Sequence, residues 1–296
     1  MIEYLILVAA VFVGAIKSVL NRKVKNGTTT LYGTLRLNLI SFFFAFLAVF
    51  FIGIGKISTL FVVPFWLTLF TAVCTVGMQI CMMKAVQLGP VSLSSFFLCS
   101  GFIIPTAWGA IYYQERFHLV QGIGVLLILV AFTLSVSKEK DKKCNVVWLL
   151  YALGSMFFSG FLGVCQKLFA KEYPNCSVNN FLTVSFFIVL VFLSVCTLIT
   201  YFCEREKSRG LGLSTGKLFA YTIPLGVIIG GLMLVNTYLF SVLPSVVSFP
   251  AVNGGTIFIT TILSAVIFKE KPTKRQTIAL CIGIGAILLI ALAQLF

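Results

Sequence analysis

The chain has 296 residues, of which 59% are hydrophobic and only 10% charged, with 22 basic and 8 acidic side chains and a net charge of +14. A soluble domain has about a quarter of its residues charged, and a globule with so little polar surface would aggregate, so the composition excludes a soluble protein. The basic residues stand in short gaps between apolar runs and build no basic face, which excludes a nucleic-acid-binding protein.

Ten apolar runs, each near the roughly 20 residues that cross a bilayer as a helix, follow one another along the chain. They cover residues 2–20, 31–53, 62–83, 92–113, 118–137, 146–166, 178–203, 217–240, 246–268 and 275–296. The first run has an acidic residue where a signal peptide would be basic, so we expect a retained helix. The sequence therefore predicts an all-α integral membrane protein with ten transmembrane helices.

The basic residues divide unevenly between the gaps. Gaps after odd-numbered runs hold 16 of them, gaps after even-numbered runs hold 4, and Lys17 and Arg36 lie within runs. Short loops rich in Lys and Arg prefer the cytoplasm. The distribution therefore predicts a multi-pass protein of the cell (cytoplasmic or inner) membrane with both termini outside.

Two halves of the sequence match at an offset of 155 residues. Glu115 and Glu270 each precede a basic residue and, six positions later, a glutamine, Gln121 or Gln276. A final apolar run with a G-x-G follows each motif. Because five helices is an odd number, successive halves must have opposite orientation, as in the inverted repeats of secondary transporters. We expect a first five-helix repeat over 1–137, a connector over 138–145 and a second, inverted repeat over 146–296.

This doubled pattern resembles the drug/metabolite transporter superfamily of the EamA type, and the resemblance covers essentially the whole chain. The resemblance implies ten helices, alternating access, and a central cavity lined mainly by helices one, three, four, six, eight and nine. It also implies transport of small metabolites such as amino acids. Well-studied members place both termini in the cytoplasm, whereas the charge distribution of this chain predicts the reverse.

Uncharged polar side chains within the runs are the candidates for substrate binding. Pro250 removes a backbone donor, and Gly254 and Gly255 loosen the same helix, so freed carbonyl groups and the Asn253 amide could meet a ligand at mid-membrane depth. The alternative for such residues is close packing of helices. The other candidates are Gln79, Ser95, Gln166, Asn236 and Tyr238.

Charged side chains near the ends of the runs allow two interpretations each. Glu115 and Glu270 are either gate residues at the cavity mouth or caps of the helices that follow. Lys17 and Arg36 either extend to the membrane interface or, with Lys84, face the cavity and attract an anionic substrate. No carboxylate lies in the middle of a run, which argues against proton exchange through an intramembrane acid. One histidine and the absence of a C-x-x-C pair argue against a metal site, and no cofactor is expected.

The leading hypothesis is a secondary transporter, a permease or exporter, that moves a small polar metabolite by alternating access. The alternative is an exchanger of phosphorylated or nucleotide-linked sugars, or a flippase of a polar lipid, which needs Lys17, Arg36 or Lys84 to face inward. A membrane enzyme would need clustered carboxylates or histidines, and a non-transporting partner would not need a cavity between repeats. The expected partners are a small-molecule substrate and the lipid bilayer, and the oligomeric state stays open, a monomer included.

Overall fold

A computed structural model describes residues 2–25, 31–53, 63–115, 118–135, 145–203, 215–267 and 273–293, and within these ranges the chain is helical, without strands. The helices of the first half are α1 (Ile2–Lys25), α2 (Leu31–Ile52), α3 (Phe65–Leu88), α4 (Val91–Ser100), α5 (Ile103–Tyr112) and α6 (Leu119–Ser135). Those of the second half are α7 (Val146–Glu172), α8 (Val178–Cys203), α9 (Thr215–Val242), α10 (Ser245–Pro250), α11 (Thr256–Ile267) and α12 (Lys274–Leu292). A π-helical segment, Ala251–Gly255, joins α10 to α11.

Nine helical segments of the described chain are long and apolar enough to cross a membrane. The pair α4–α5 contributes one of them, Leu93–Tyr112, and α10 with the π-helical segment and α11 contributes another, Ser245–Ile267. The remaining predicted span, in α6, is apolar over Leu119–Leu134 and falls short of the others in length. The structure thus confirms an all-α, multi-span membrane architecture, while the tenth crossing stays a prediction.

Two of the spans are interrupted, and the interruptions have local causes. Pro250 lacks a backbone N–H, and the chain widens into the π-helical segment directly after it, as the sequence predicted. In the first half, the break between α4 and α5 falls at Gly101 and Phe102. Each broken span also starts alike, because Pro90 and Pro244 occupy the N-cap positions of α4 and α10.

The glutamines of the doubled motif, Gln121 and Gln276, each cap the start of a helix. The Gln121 side chain accepts a hydrogen bond from the His118 backbone N–H at 3.1 Å, at the start of α6. The Gln276 side chain accepts one from the Thr273 backbone N–H at 2.9 Å, at the start of α12. Both glutamines stand at the third helical position and satisfy a backbone donor that the first turn leaves free.

The helices pack around two large apolar cores, and two smaller apolar clusters lie beside them. One core contains side chains of α1, α6, α9, α10, α11 and α12, and the other contains side chains of α2, α3, α7 and α8. Helix α9 contacts both α1 and α2, α7 contacts α3, α5 pairs with α10, and α6 pairs with α12. Large apolar side chains such as Ile111 and Leu119 point outward with 80% and 87% exposure, which suits a surface covered by lipid.

Candidate functional site

A buried ion pair joins the two halves at one end of the bundle, where α5 finishes and α9 turns into α10; we call this the Glu115 end. Lys167 Nζ of α7 lies 2.7 Å from Glu115 Oε1, and the two side chains are only 1% and 16% exposed. Lys167 Nζ also donates a hydrogen bond to the Leu243 carbonyl oxygen at 3.1 Å. Glu115 Oε2 accepts one from the Ser245 backbone N–H at 2.6 Å. The two charges neutralise each other and also satisfy backbone groups that the α9–α10 turn leaves open.

The backbone around α5 places Glu115 against α10. Gln114 adopts a positive φ of 50°, which turns the chain back after α5, and the Glu115 N–H donates to the Gly109 carbonyl oxygen at 3.3 Å. Gly109 itself lies against Ser245, and a Cβ added there would stand 2.8 Å from Glu115 Oε2. A glycine at this position therefore allows the close approach of α5 and α10 on which the ion pair depends.

Further ionisable groups surround the pair at the Glu115 end. Helix α7 continues to Glu172, beyond the end that hydropathy predicted at 166, so Lys167 lies inside a helix rather than at its terminus. Burial, reinforced by the nearby Glu172 carboxylate, raises the pKa of Tyr113 above its ordinary value. The phenol consequently stays neutral at physiological pH and adds no negative charge beside Glu115.

Two of the predicted amides are Gln166 on α7 and Asn236 on α9. The Gln166 amide nitrogen, on a residue only 4% exposed, lies 3.2 Å from Thr237 Oγ1 and 3.1 Å from Met233 Sδ of α9. Asn236 is half-buried, and its Oδ1 atom has no hydrogen-bond partner among the described residues. A buried amide oxygen without a partner costs free energy, so the role of Asn236 in binding a polar ligand group stays a prediction that this atom favours.

The π-helical segment positions Asn253. Its side-chain nitrogen donates to the Phe249 carbonyl oxygen at 3.0 Å, within the stretch where Pro250 disturbs the backbone ladder. One role of the Asn253 amide is thus to satisfy a carbonyl group of its own helix. Gly255 packs on Val11 of α1, which brings this segment against the first half.

Lys17 lies on α1, as Val11 does, but nearer the end of that helix. It is half-buried in α1, and its ammonium group is within Coulombic range of the Cys99 thiol of α4. Ser95 and Cys99 are one helical turn apart on α4, so the Ser95 hydroxyl shares the face that meets Lys17. The structure therefore places Lys17 and Ser95, two of the predicted residues, near the same thiol, although no described contact joins their side chains.

The other predicted residues fall outside these groups. Gln79 and Lys84 on α3 and Arg36 on α2 are half-buried, and no described contact joins them to Lys17 or to the ion pair. Tyr238 is 45% exposed and shares its side of α9 with Val227 and Val242, which are 49% and 46% exposed, as on a lipid-facing stripe. Glu270 lies outside the described residues.

Sequence reasoning missed Lys167 as the partner of Glu115. One signal was present, because Gln166-Lys167 resembles Asn21-Arg22 at the equivalent point of the first half. Hydropathy predicts that a helix ends at a lysine that directly follows an apolar run, whereas pairing with Glu115 lets this ammonium group remain buried while the helix continues.

The fold and the family of the chain are known from two comparisons. A solved crystal structure of a protein matches with a TM-score of 0.75 and 14% identity, over 98% of this chain and 96% of the other. At that identity the match shows a shared fold. No curated protein matches the sequence. Residues 146–292 match the model of the EamA-like transporter family, which places the chain in the drug/metabolite transporter superfamily.

Proposed function

We propose that the chain is a secondary transporter of a small polar metabolite and works by alternating access. The observation that carries the proposal is the Glu115–Lys167 ion pair, which connects α5 of the first half to α7 and the α9–α10 turn of the second. A buried ion pair adds little net stability relative to its hydrated partners. An interface closed by such a pair can therefore open at low cost when water enters, which is what a gate requires.

The structural equivalence of the halves supports an inverted repeat. In the two halves, α1 corresponds to α7, α2 to α8 and α3 to α9. If the halves are exchanged, the α3–α7 contact becomes α9–α1 and the α2–α9 contact becomes α8–α3. All four of these pairs pack in the structure. The α2–α8 and α6–α12 contacts join helices that correspond to each other, and the α5–α10 contact joins the two interrupted spans. Two packing arrangements of such halves are equivalent by symmetry, so one can be exchanged for the other around a central site.

Orientation follows from the charge distribution. With basic loops in the cytoplasm, the Glu115 end faces the outside of the cell, and the ion pair closes the outer mouth of the cavity. Labelling of a cysteine placed in the 138–145 connector should then occur from the cytoplasmic side alone. Labelling by an impermeant reagent added to intact cells would overturn this orientation.

Transport and gate accessibility test the proposal together. Purified protein in proteoliposomes should take up at least one member of a panel of radiolabelled amino acids and organic acids. Glu115→Gln leaves Lys167 buried without a counter-charge, so the Glu115 end should open more often. A cysteine at Ser248, which is fully buried one turn into α10, should then react faster with an aqueous maleimide. An unchanged labelling rate together with unchanged uptake would remove the ion pair from the mechanism.

A matched control comes from the same helix. Lys171 is exposed one turn after Lys167, and Lys171→Gln removes a positive charge of equal size without disturbing a buried contact. We expect labelling at position 248 and uptake to stay at the wild-type level in this variant. Failure of the wild-type protein to move any solute of the panel would contradict the transporter proposal itself.

A further inference from the structure

Lys17 lies at the edge of the face of α1 that packs within the protein. Gly14, one turn earlier, is so close to α11 that an added Cβ would stand 2.9 Å from Thr256 Oγ1. Ala10, about two turns earlier, is 6% exposed within the core that α1 shares with α9. The outward face of α1 carries Ile16, which is 46% exposed. Val13, one turn before Lys17, is also exposed at 37%, so Lys17 borders both the packed side and the outward side of the helix.

The same place is bordered by α4. Cys99 packs against the core cluster that contains Ala10, and it is within Coulombic range of Lys17. Ser95 stands on the same face of α4, one turn nearer the start of that helix. Lys17 and Ser95 are both half-buried. The Cys99 thiol relates them, since it lies one turn from Ser95 and within Coulombic range of the Lys17 ammonium group.

Lys17 has no carboxylate partner among the described residues. Of the described acids, Glu115 binds Lys167 and Glu172 stands beside Tyr113 at the opposite end of the bundle. Glu3 is four turns away along α1. A cation within a membrane-spanning helix is costly unless a counter-charge or water compensates it, and such a residue marks a ligand path by default.

We infer that Lys17 binds the anionic group of the transported metabolite and that this group is a single carboxylate. This inference rests on the transporter function proposed above and names its substrate class. One ammonium group matches one negative charge, and the Ser95 hydroxyl supplies a further donor for the second carboxylate oxygen. A phosphate dianion or a nucleotide-linked sugar would need more cations, and Arg36 and Lys84 are not joined to Lys17 by any described contact.

Charge-selective labelling of Cys99 tests the site without any substrate. In a variant that keeps Cys99 and lacks the other cysteines, the anionic sulfonatoethyl methanethiosulfonate should react about tenfold faster than the cationic trimethylammonioethyl reagent, because Lys17 concentrates anions beside the thiol. Lys17→Met should bring the ratio of the two rates near one, and Lys17→Arg should keep it. Equal rates in the parent variant, or no reaction with either reagent, would overturn the inference.

Controls separate the local charge from the net charge of the protein. Lys274 is exposed at the start of α12, so Lys274→Met removes a charge away from Cys99 and should leave the ratio unchanged. A variant that keeps only Cys203, exposed at the end of α8, should show the same ratio with and without Lys17→Met. A ratio that falls equally in all variants would show a general surface effect and contradict the assignment.

Transport in proteoliposomes then separates this inference from the function on which it rests. The probes are radiolabelled alanine, lactate and succinate, with glycerol and choline as solutes that carry no carboxylate. Uptake of a carboxylate with a KM raised about tenfold or more by Lys17→Met supports the inference. Uptake of glycerol or choline alone, or of carboxylates with an unchanged KM, overturns it and leaves the transporter function intact. Absence of all uptake contradicts the transporter function, whereas the labelling result still decides the site.

Discussion

Lys167 of α7 and Lys17 of α1 are both cations inside apolar helices, and the protein treats them in opposite ways. Lys167 is fully buried and meets a carboxylate and a carbonyl oxygen. Lys17 is half-buried, lies within Coulombic range of a thiol and has no described carboxylate partner. A compensated charge is suited to hold two helices together, whereas an uncompensated one gains most from a ligand that brings the missing charge. The difference supports the proposed roles, in which Lys167 closes the cavity and Lys17 binds the substrate.

The largest effect is expected from Lys167→Met, which breaks the compensated side of the comparison. The substitution leaves the Glu115 carboxylate and the Leu243 carbonyl oxygen without their partner in a dry contact. Removing one partner of a buried pair costs about 3–5 kcal/mol. Thermal unfolding in detergent should show a correspondingly lower Tm, and Lys171→Met should leave the Tm nearly unchanged. The double variant Lys167→Met with Glu115→Gln should recover part of the loss, because no isolated charge remains.

Gly109→Ala should come next, since it separates α5 from α10 without changing any charge. The added methyl group would meet the Ser245 side chain and the Glu115 carboxylate. Overpacking of this kind costs about 1–3 kcal/mol. Gly285→Ala is the matched control, because nothing lies within 4 Å of a Cβ at that position of α12. A Tm for Gly109→Ala equal to that of Gly285→Ala would show that the approach of the two helices is looser than the ion pair requires.

Lys17→Met should change the stability in the opposite direction from Lys167→Met and Gly109→Ala. Removal of an uncompensated cation relieves a cost that serves binding, so the Tm should rise by an amount equivalent to about 0.5–2 kcal/mol while carboxylate uptake falls. Differential scanning fluorimetry of Lys17→Met and Lys167→Met side by side checks the contrast. A loss of stability in both variants would mean that Lys17, too, has a structural partner, and the comparison between the two lysines would fail.

The sequence predicted the parts of this picture that depend on local pattern. The hydropathy of the runs located the helices, and Pro250 with Gly254 and Gly255 located the interruption in the second half. The Glu115–Lys167 contact could not be read in this way. It joins residues 52 positions apart, and it depends on the turn at Gln114 and on the length of α7. Hydropathy treats every lysine as an unpaired charge and therefore places it at a helix end. Only a tertiary contact shows that such a charge is paired.

The smallest changes in stability are expected at the two glutamine caps. They sharpen the comparison because both caps should affect stability alone and neither should affect substrate binding. Gln276→Ala removes one acceptor for the Thr273 N–H and should cost about 0.5–1 kcal/mol, as a lost capping interaction does. Gln121→Ala removes the equivalent acceptor at the start of α6, and its cost should be somewhat larger because Gln121 is fully buried and leaves a cavity. Thermal unfolding of both variants, with uptake measured in parallel, checks this. Neither variant should change the KM for a carboxylate, since both caps act within their own helices. A changed KM in Gln276→Ala alone would mean that the start of α12 takes part in substrate binding. Binding would then not depend on Lys17 alone.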